Sequence, residues 1–449
     1  MDEKQKRSTG KSGEKRENDR KKQNRKAIIR MIVLLAIIGI VFVFAYMNNI
    51  SGNVGYNSPT PGVTMTPSAT PAQTGSATPK PTPSVTPTPV PTLGPDEDRR
   101  STRTNEEPVK ALYLNPTSVR SKVDHYIDLA NKTEINAYVI DIKDDDGTIM
   151  YDSSLPDVNA AKGDTPDFDI RTVIKKMHDN NIRVIARMVT FKDNTITKLK
   201  PDLALKTANG EPFKMPAGKT TLMWLDATNK AAWDYVVSVA KEAINFGFDE
   251  IQFDYIRFPE TSLYKYQLNL EPGKERHDYI EGFIRYARSS LPPDIVLSAD
   301  IFGMPLIASK DYGEIGQTLE SIGKSLDYIC PMVYPSHFAN NAKSGAMSNG
   351  VGQTINGITF THPDLKPYDV IYNTLFVGKS RVEKVEGYNL KMRPYIQGFT
   401  ASYIPAGYWM QYTADVYKAE IKAVYDAGYN EWIFWNAPND YVESGFAPE

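Results

Sequence analysis

Eight short apolar runs between residues 110 and 437 constrain this chain more than any other feature. They read KALYLN (110–115), AYVIDIK (137–143), RVIARMVTF (183–191), EIQFDYIRF (250–258), IVLSADIFG (295–303), YICPMVYP (328–335), RPYIQGF (393–399) and EWIFWNA (431–437). Between them lie segments whose apolar residues fall three and four apart, the helical period. SVRSKVDHYIDLANKT opens on a Ser cap, KAAWDYVVSVAKEAINFG stops at Gly247, and TADVYKAEIKAVYDAGY stops near Gly428. Eight alternating βα units within residues 106–449 predict an α/β fold, a (β/α)8 TIM barrel lengthened by loop insertions. An open doubly wound sheet is the alternative. No glycine-rich phosphate fingerprint follows the first strand, which argues against it.

The first hundred residues have another character. Residues 1–30 hold 12 Lys/Arg and 5 Asp/Glu, a charge of +7, which leaves −9 on the rest of a chain with net charge −2. Residues 31–47, MIVLLAIIGIVFVFAYM, carry no charge. With Ala27–Arg30 they are long enough to cross a bilayer as one transmembrane helix. The positive-inside bias puts the basic head in the cytoplasm and the remainder outside. A cleaved signal peptide is the rival reading, but no A-x-A site follows the apolar run. Residues 48–105 read as a disordered, extended Pro/Thr/Ser linker, as in PTPGVTMTPSATPAQTGSATPKPTPSVTPTPVPTLGP. It is a stalk able to lift the folded part off the membrane, or a plain spacer. The acidic body argues against a nucleic-acid partner. Cys330 is the only cysteine, so no internal disulfide can form.

Active sites of such barrels lie at the C-terminal strand ends, and side chains alternate between interior and helices. With the more apolar parity facing the helices, Asp141 and Lys143 point inward from the second strand and Arg187 from the third. Gln252 and Asp254 do so from the fourth, and Ser298 and Asp300 from the fifth. Met332 and Tyr334, Gln397 and Trp435 point inward from the last three. A mouth lined by carboxylates, aromatic rings, Arg and Gln suits a carbohydrate, because aromatic faces stack on sugar rings while charges and amides hold hydroxyls. Glycosidic hydrolysis needs a proton donor and a second carboxylate. Asp254 as nucleophile or base and Asp300 as acid are the expected catalytic pair. Asp141, Lys143, Arg187, Arg257, Tyr334, His337, Gln397 and Trp435 are the expected substrate contacts.

The fourth strand, GFDEIQFDYIRFP, resembles the chitinase pattern GFDGIDIDWEYP at Gly247, Phe248, Asp249, Ile251, Asp254 and Pro259. The acid glutamate of that pattern falls on Ile256 here, and Pro335 replaces the aspartate of M-x-Y-D, so substrate-assisted chemistry is not expected. A nearer resemblance is to a family of glycoside-hydrolase-like (β/α)8 barrels carried as a domain of unknown function and grouped with α-galactosidase-like enzymes. VIDIKDDDGTIMYDS, WLDATN, FDYIRFP, LSADIFG and PMVYPSHF carry it, over about residues 110–440. The resemblance implies a glycosidase fold with a catalytic Asp at the end of strand four, here Asp254. Asp300 lies in a second family motif.

Bland readings stand beside these. Asp254 could pair with Arg257 or Arg187 in a structural network, Asp300 could cap the loop at Gly303, and Asp141 with Lys143 could be a salt-bridged scaffold. Asp226 is expected to cap the helix after it. Cys330 reads as core packing. DDDG at 144–147 misses the EF-hand spacing and reads as a turn, and the five histidines show no zinc spacing, so no metal or cofactor is expected. The expected function is a membrane-anchored, extracytoplasmic glycoside hydrolase acting on a polysaccharide or oligosaccharide by two-carboxylate catalysis. The alternatives are a non-catalytic carbohydrate-binding barrel and a wall-associated scaffold.

Overall fold

A computed structural model describes residues 107–448 except 166–167, 218–219, 261–265, 323–324 and 389. The expected basic head, transmembrane helix and linker therefore lie outside the described residues. Among the described residues no helix is long and apolar enough to cross a membrane.

Eight parallel staves close into a ring: β1 Lys110–Leu114, β2 Ala137–Lys143, β3 Arg183–Val189, β4 Glu250–Asp254, β5 Val296–Phe302, β6 Tyr328–Met332, β7 Tyr395–Gln397 and β8 Trp432–Trp435. Each pairs with its sequence neighbours, and β8 pairs with β1 to complete the barrel. All eight apolar runs supply a stave. The seventh is interrupted: Lys391–Met392 pairs with β6, Arg393–Pro394 breaks step, and Tyr395 resumes opposite Met332. Helices α1 Pro116–Ala130, α2 Ile170–His178, α3 Lys230–Phe246, α4 Arg276–Ser290, α5 Pro367–Val382 and α6 Ala414–Asp426 connect them. Between β5 and β6 the described residues hold no α-helix; 3₁₀ turns at Met304–Leu306 and Tyr312–Glu314 stand there.

Local chemistry sets the helix ends. The α1 cap is Asn115, whose side chain accepts from the Ser118 amide, with Pro116 entering the first turn, so the expected Ser cap is one turn too late. The α3 cap is Asn229, and its end is Gly247 at φ 106°. Asp226 does not cap α3 as expected; it closes the preceding turn through the Thr228 amide and hydroxyl.

Strand parity divides the core. Ile251 and Phe253, Leu297, Ala299 and Ile301, and Tyr138 and Ile140 pack outward with the helices. Ala111, Val139, Ile185, Cys330, Tyr395 and Ile433 fill the barrel. Cys330 is buried there and accepts from Gln252 Nε2 at 3.4 Å. The floor is polar. Arg393, turned inward by the break in the seventh stave, bonds Glu250 at 2.9 Å, lies 3.7 Å from Glu431 and sits over the Tyr328 ring at 3.9 Å. This buried ion cluster closes the N-terminal end and leaves the C-terminal end as the open mouth.

Candidate active site

Adjacent staves bring Asp141, Arg187, Asp254 and Asp300 to one level, with Asp141 in register with Arg187 and Asp254 with Val189. They line a cavity of about 900 Å³ at the C-terminal mouth, together with Tyr113, Tyr334, His337, Trp435 and Arg257. Arg187 is the hub. Its Nε donates to Asp254 Oδ2 at 3.0 Å, its Nη2 donates to the same oxygen, and its Nη1 donates to Asp141 Oδ1. The Tyr113 hydroxyl donates to the other Asp141 oxygen at 2.5 Å. Asp254 Oδ1 accepts from the Tyr255 amide at 2.6 Å. Tyr255 has φ 48°, a left-handed conformation that bulky residues rarely adopt; it ends β4 at the carboxylate.

Asp300 differs from its neighbours. Its Oδ2 lies 3.9 Å from Arg187 Nε, too far for a hydrogen bond, and its Oδ1 has no partner among the described residues. Legs of 3.0 and 3.9 Å through Arg187 Nε bound the distance between the two Oδ2 atoms of Asp254 and Asp300 at 6.9 Å. Burial, then the nearby Asp254 charge, pushes the Asp300 carboxyl well above the usual range, and Arg187 offsets only part of this. That is the direction a general acid requires. Burial also lifts Asp141, although Arg187 and Tyr113 pull the other way. Burial alone would lower Arg187, but Asp141 and Asp254 hold it firmly as a cation.

The walls are aromatic. Trp435 stacks on Tyr113 with ring centres 3.9 Å apart, and the Arg187 guanidinium sits 5.1 Å from the Trp435 ring centre. Arg257 lies among the rings of Trp224, Tyr255 and Phe302, at 5.1, 5.1 and 4.8 Å, and donates to the Phe258 carbonyl. Burial raises Tyr334 well above the ordinary phenol value, with Asp300 adding to it, and lowers His337 to about 4. Both are neutral near pH 7.

Two expected contacts do not reach the cavity. The ladder between β2 and β3 shifts by one residue between Asp141 and Lys143, which places Lys143 opposite the outward-facing Met188. Lys143 is buried against Asp193 at 2.9 Å and the Val189 carbonyl at 2.6 Å. Gln397 is fully buried behind the wall, bonded to Ser336, Asp364 and the Phe399 carbonyl. Tyr113, Tyr255, Tyr395 and Phe399 also line the cavity, and none of them is among the expected contacts. Tyr113 shares the inward parity of Ala111, so strand alternation could have found it. Asp144, in the DDDG turn, accepts from the Asp146 and Thr148 amides, and Asp145 pairs with Lys192 at 3.4 Å.

A closed (β/α)8 barrel whose C-terminal mouth gathers carboxylates between aromatic walls has the parts that glycoside hydrolysis uses. The chain belongs to a glycosyl hydrolase family: residues 111–441 match the family described as "Putative glycosyl hydrolase domain". Among solved structures, a hypothetical protein from Ruminiclostridium thermocellum is 47% identical, with 42% of this chain and 96% of that chain covered and a TM-score of 0.39. The PgaB (BpsB) glycoside hydrolase domain from Bordetella bronchiseptica is 11% identical over 74% of this chain and 94% of that one, with a TM-score of 0.50, a likeness of fold. An α-galactosidase from Thermus thermophilus is 11% identical over 76% of this chain and 61% of that one, with a TM-score of 0.44. No curated protein matches the chain.

Proposed function

We propose that this glycoside hydrolase cleaves a polysaccharide or oligosaccharide with Asp300 as acid and Asp254 as nucleophile. The observation that carries the reading is the contrast between two neighbouring carboxyl groups in one cavity. Asp254 accepts three N–H donors, whereas Asp300 is buried, raised and free at Oδ1 among the described residues. The bound of 6.9 Å between their Oδ2 atoms admits the roughly 5–5.5 Å of retaining enzymes and only the low edge of the roughly 6.5–9.5 Å of inverting ones. In the first step Asp300 gives its proton to the glycosidic oxygen as Asp254 attacks the anomeric carbon, so the leaving sugar departs as an alcohol. In the second, the Asp300 carboxylate takes a proton from water, and the hydroxide formed breaks the ester to Asp254. Arg187 holds Asp254 in line and bears on the charge that changes there. Trp435, Tyr334 and Arg257 supply walls for the sugar, and Asp141 is held by Arg187 and Tyr113 beside them.

The charge-free stretch at residues 31–47 after a basic head supports a membrane anchor, with the barrel outside the cytoplasm on a proline-rich stalk. Protease treatment of intact cells tests this part: the barrel should be shed, and full protection of the barrel would refute it. The catalytic reading is tested by a polysaccharide panel with time-resolved NMR of the first reducing end released. Retention of anomeric configuration is expected. Inversion would assign Asp254 as a base, and binding without turnover on every member would favour a carbohydrate-binding barrel.

A further inference from the structure

Gln397 lies outside the cavity, yet it fixes the polarity of a group inside it. Its Oε1 faces the Ser336 amide at 3.1 Å, which can only donate, and its Nε2 faces the Phe399 carbonyl at 3.0 Å, which can only accept. The amide therefore has one orientation. Ser336 Oγ lies 2.7 Å from that same Oε1, so the hydroxyl proton is committed to Gln397. Toward its other neighbours Ser336 Oγ can only accept. Those neighbours are His337 Nδ1 at 3.1 Å and the Tyr403 hydroxyl at 3.2 Å, and two lone pairs serve both. His337 Nδ1 must then carry the proton. The ring is neutral, being held down to about 4 by burial, so Nε2 bears a free lone pair. The ring lines the cavity, wedged edge-on against Tyr334 and Phe399 with centres 5.1 and 6.1 Å away.

We propose that His337 presents Nε2 as a hydrogen-bond acceptor to a sugar hydroxyl, held in that tautomer by Gln397 acting through Ser336. His337 is thus a specificity-determining residue and Gln397 a positioning residue. The substrate unit beside His337 must offer a donor, a free hydroxyl or N–H, and a sugar alkylated or esterified there should be excluded. The contact to sugar rests on the hydrolase reading; the tautomer does not.

The test uses the full chain in detergent, labelled with ¹⁵N-histidine, with His337 assigned by its disappearance in His337→Gln. A two-bond ¹H–¹⁵N correlation at pH 7 should show protonated Nδ1 and bare Nε2 for His337. Ser336→Ala should give a mixture of tautomers. A protonated Nε2, or a pure Nδ1–H tautomer that survives Ser336→Ala, would overturn the relay. On the polysaccharide that the wild type cleaves, His337→Phe should raise KM about 3- to 10-fold, the range of one neutral hydrogen bond. His337→Gln should recover part of the loss. An unchanged KM would overturn the contact while leaving the hydrolase reading intact. No turnover by the wild type on any substrate would sink that reading and the contact with it, while the tautomer result would stand.

Discussion

Arg187→Met should cost stability in a way that depends on pH. The guanidinium is nearly buried and bonds both Asp141 and Asp254, with Asp300 at 3.9 Å. Methionine keeps much of the volume but leaves those carboxylates without a cation in a site largely closed to water. Removing one partner of a buried pair costs about 3–5 kcal/mol. For a folded unit of this size that corresponds to a fall in Tm of about 4–7 °C at pH 7.5. Linkage gives the sign of the pH dependence. Burial already raises the Asp141 and Asp300 carboxyls in the fold and Arg187 holds them down, so without the cation both titrate higher still when folded. Their penalty is therefore full above the folded value and fades as pH falls toward the ordinary carboxylate range. Differential scanning calorimetry of variant and wild type at pH 7.5, 6 and 4.5 reads this directly. The gap in Tm should shrink by at least half at pH 4.5. An equal gap at all three values would show that Arg187 acts through packing, and would refute the charge argument.

Asp300→Asn should lower turnover about 10²- to 10⁴-fold, the usual contribution of a general acid. The same variant should melt higher at pH 7. A carboxyl raised in the fold loses stability as pH climbs from the ordinary value toward the raised one, and asparagine has no proton to hold; melting curves at pH 3.5 and 7 check that the difference vanishes at the lower value. Gly147→Ala should cost roughly 2–4 kcal/mol by thermal or urea unfolding, because φ is +84° and an added Cβ would meet the Asp193 carboxylate that pairs with Lys143. Trp435→Ala should raise KM about 10-fold, measured on the cleaved polysaccharide, through loss of the aromatic wall.

The barrel was legible because each stave is a short apolar run whose alternation also says which side chains face in. Asp254, Asp300, Asp141 and Arg187 come from that parity alone, and the structure gathers them around one guanidinium. Parity misplaces Lys143 because the strand bulges after Asp141, and one inserted residue turns the next side chain to the opposite face. Gln397 has the inward parity of Tyr395, but Ser336 and Asp364 draw its amide sideways, which no spacing encodes. The pairing of Asp254 with Arg187 was among the readings the sequence allowed, but that Asp300 Oδ1 would be left without a partner among the described residues depends on side-chain reach that no spacing encodes. The side chains that close the cavity from the loop after β7, Phe399 and Tyr403, come from irregular backbone, where periodicity carries no signal. The fifth crossover reads in sequence as one of eight βα units, yet it runs through 3₁₀ turns.

The central claim is that Asp254 and Asp300 act as two halves of one reaction. Initial rates of the wild type, Asp254→Asn and Asp300→Asn on the same polysaccharide, with binding monitored in parallel, test it most directly. Each variant should bind within a few-fold of the wild type and lose at least 100-fold in turnover, for Asp300→Asn the low end of what a general acid contributes and for Asp254→Asn through loss of the nucleophile. Either variant cleaving at the wild-type rate would contradict the assignment.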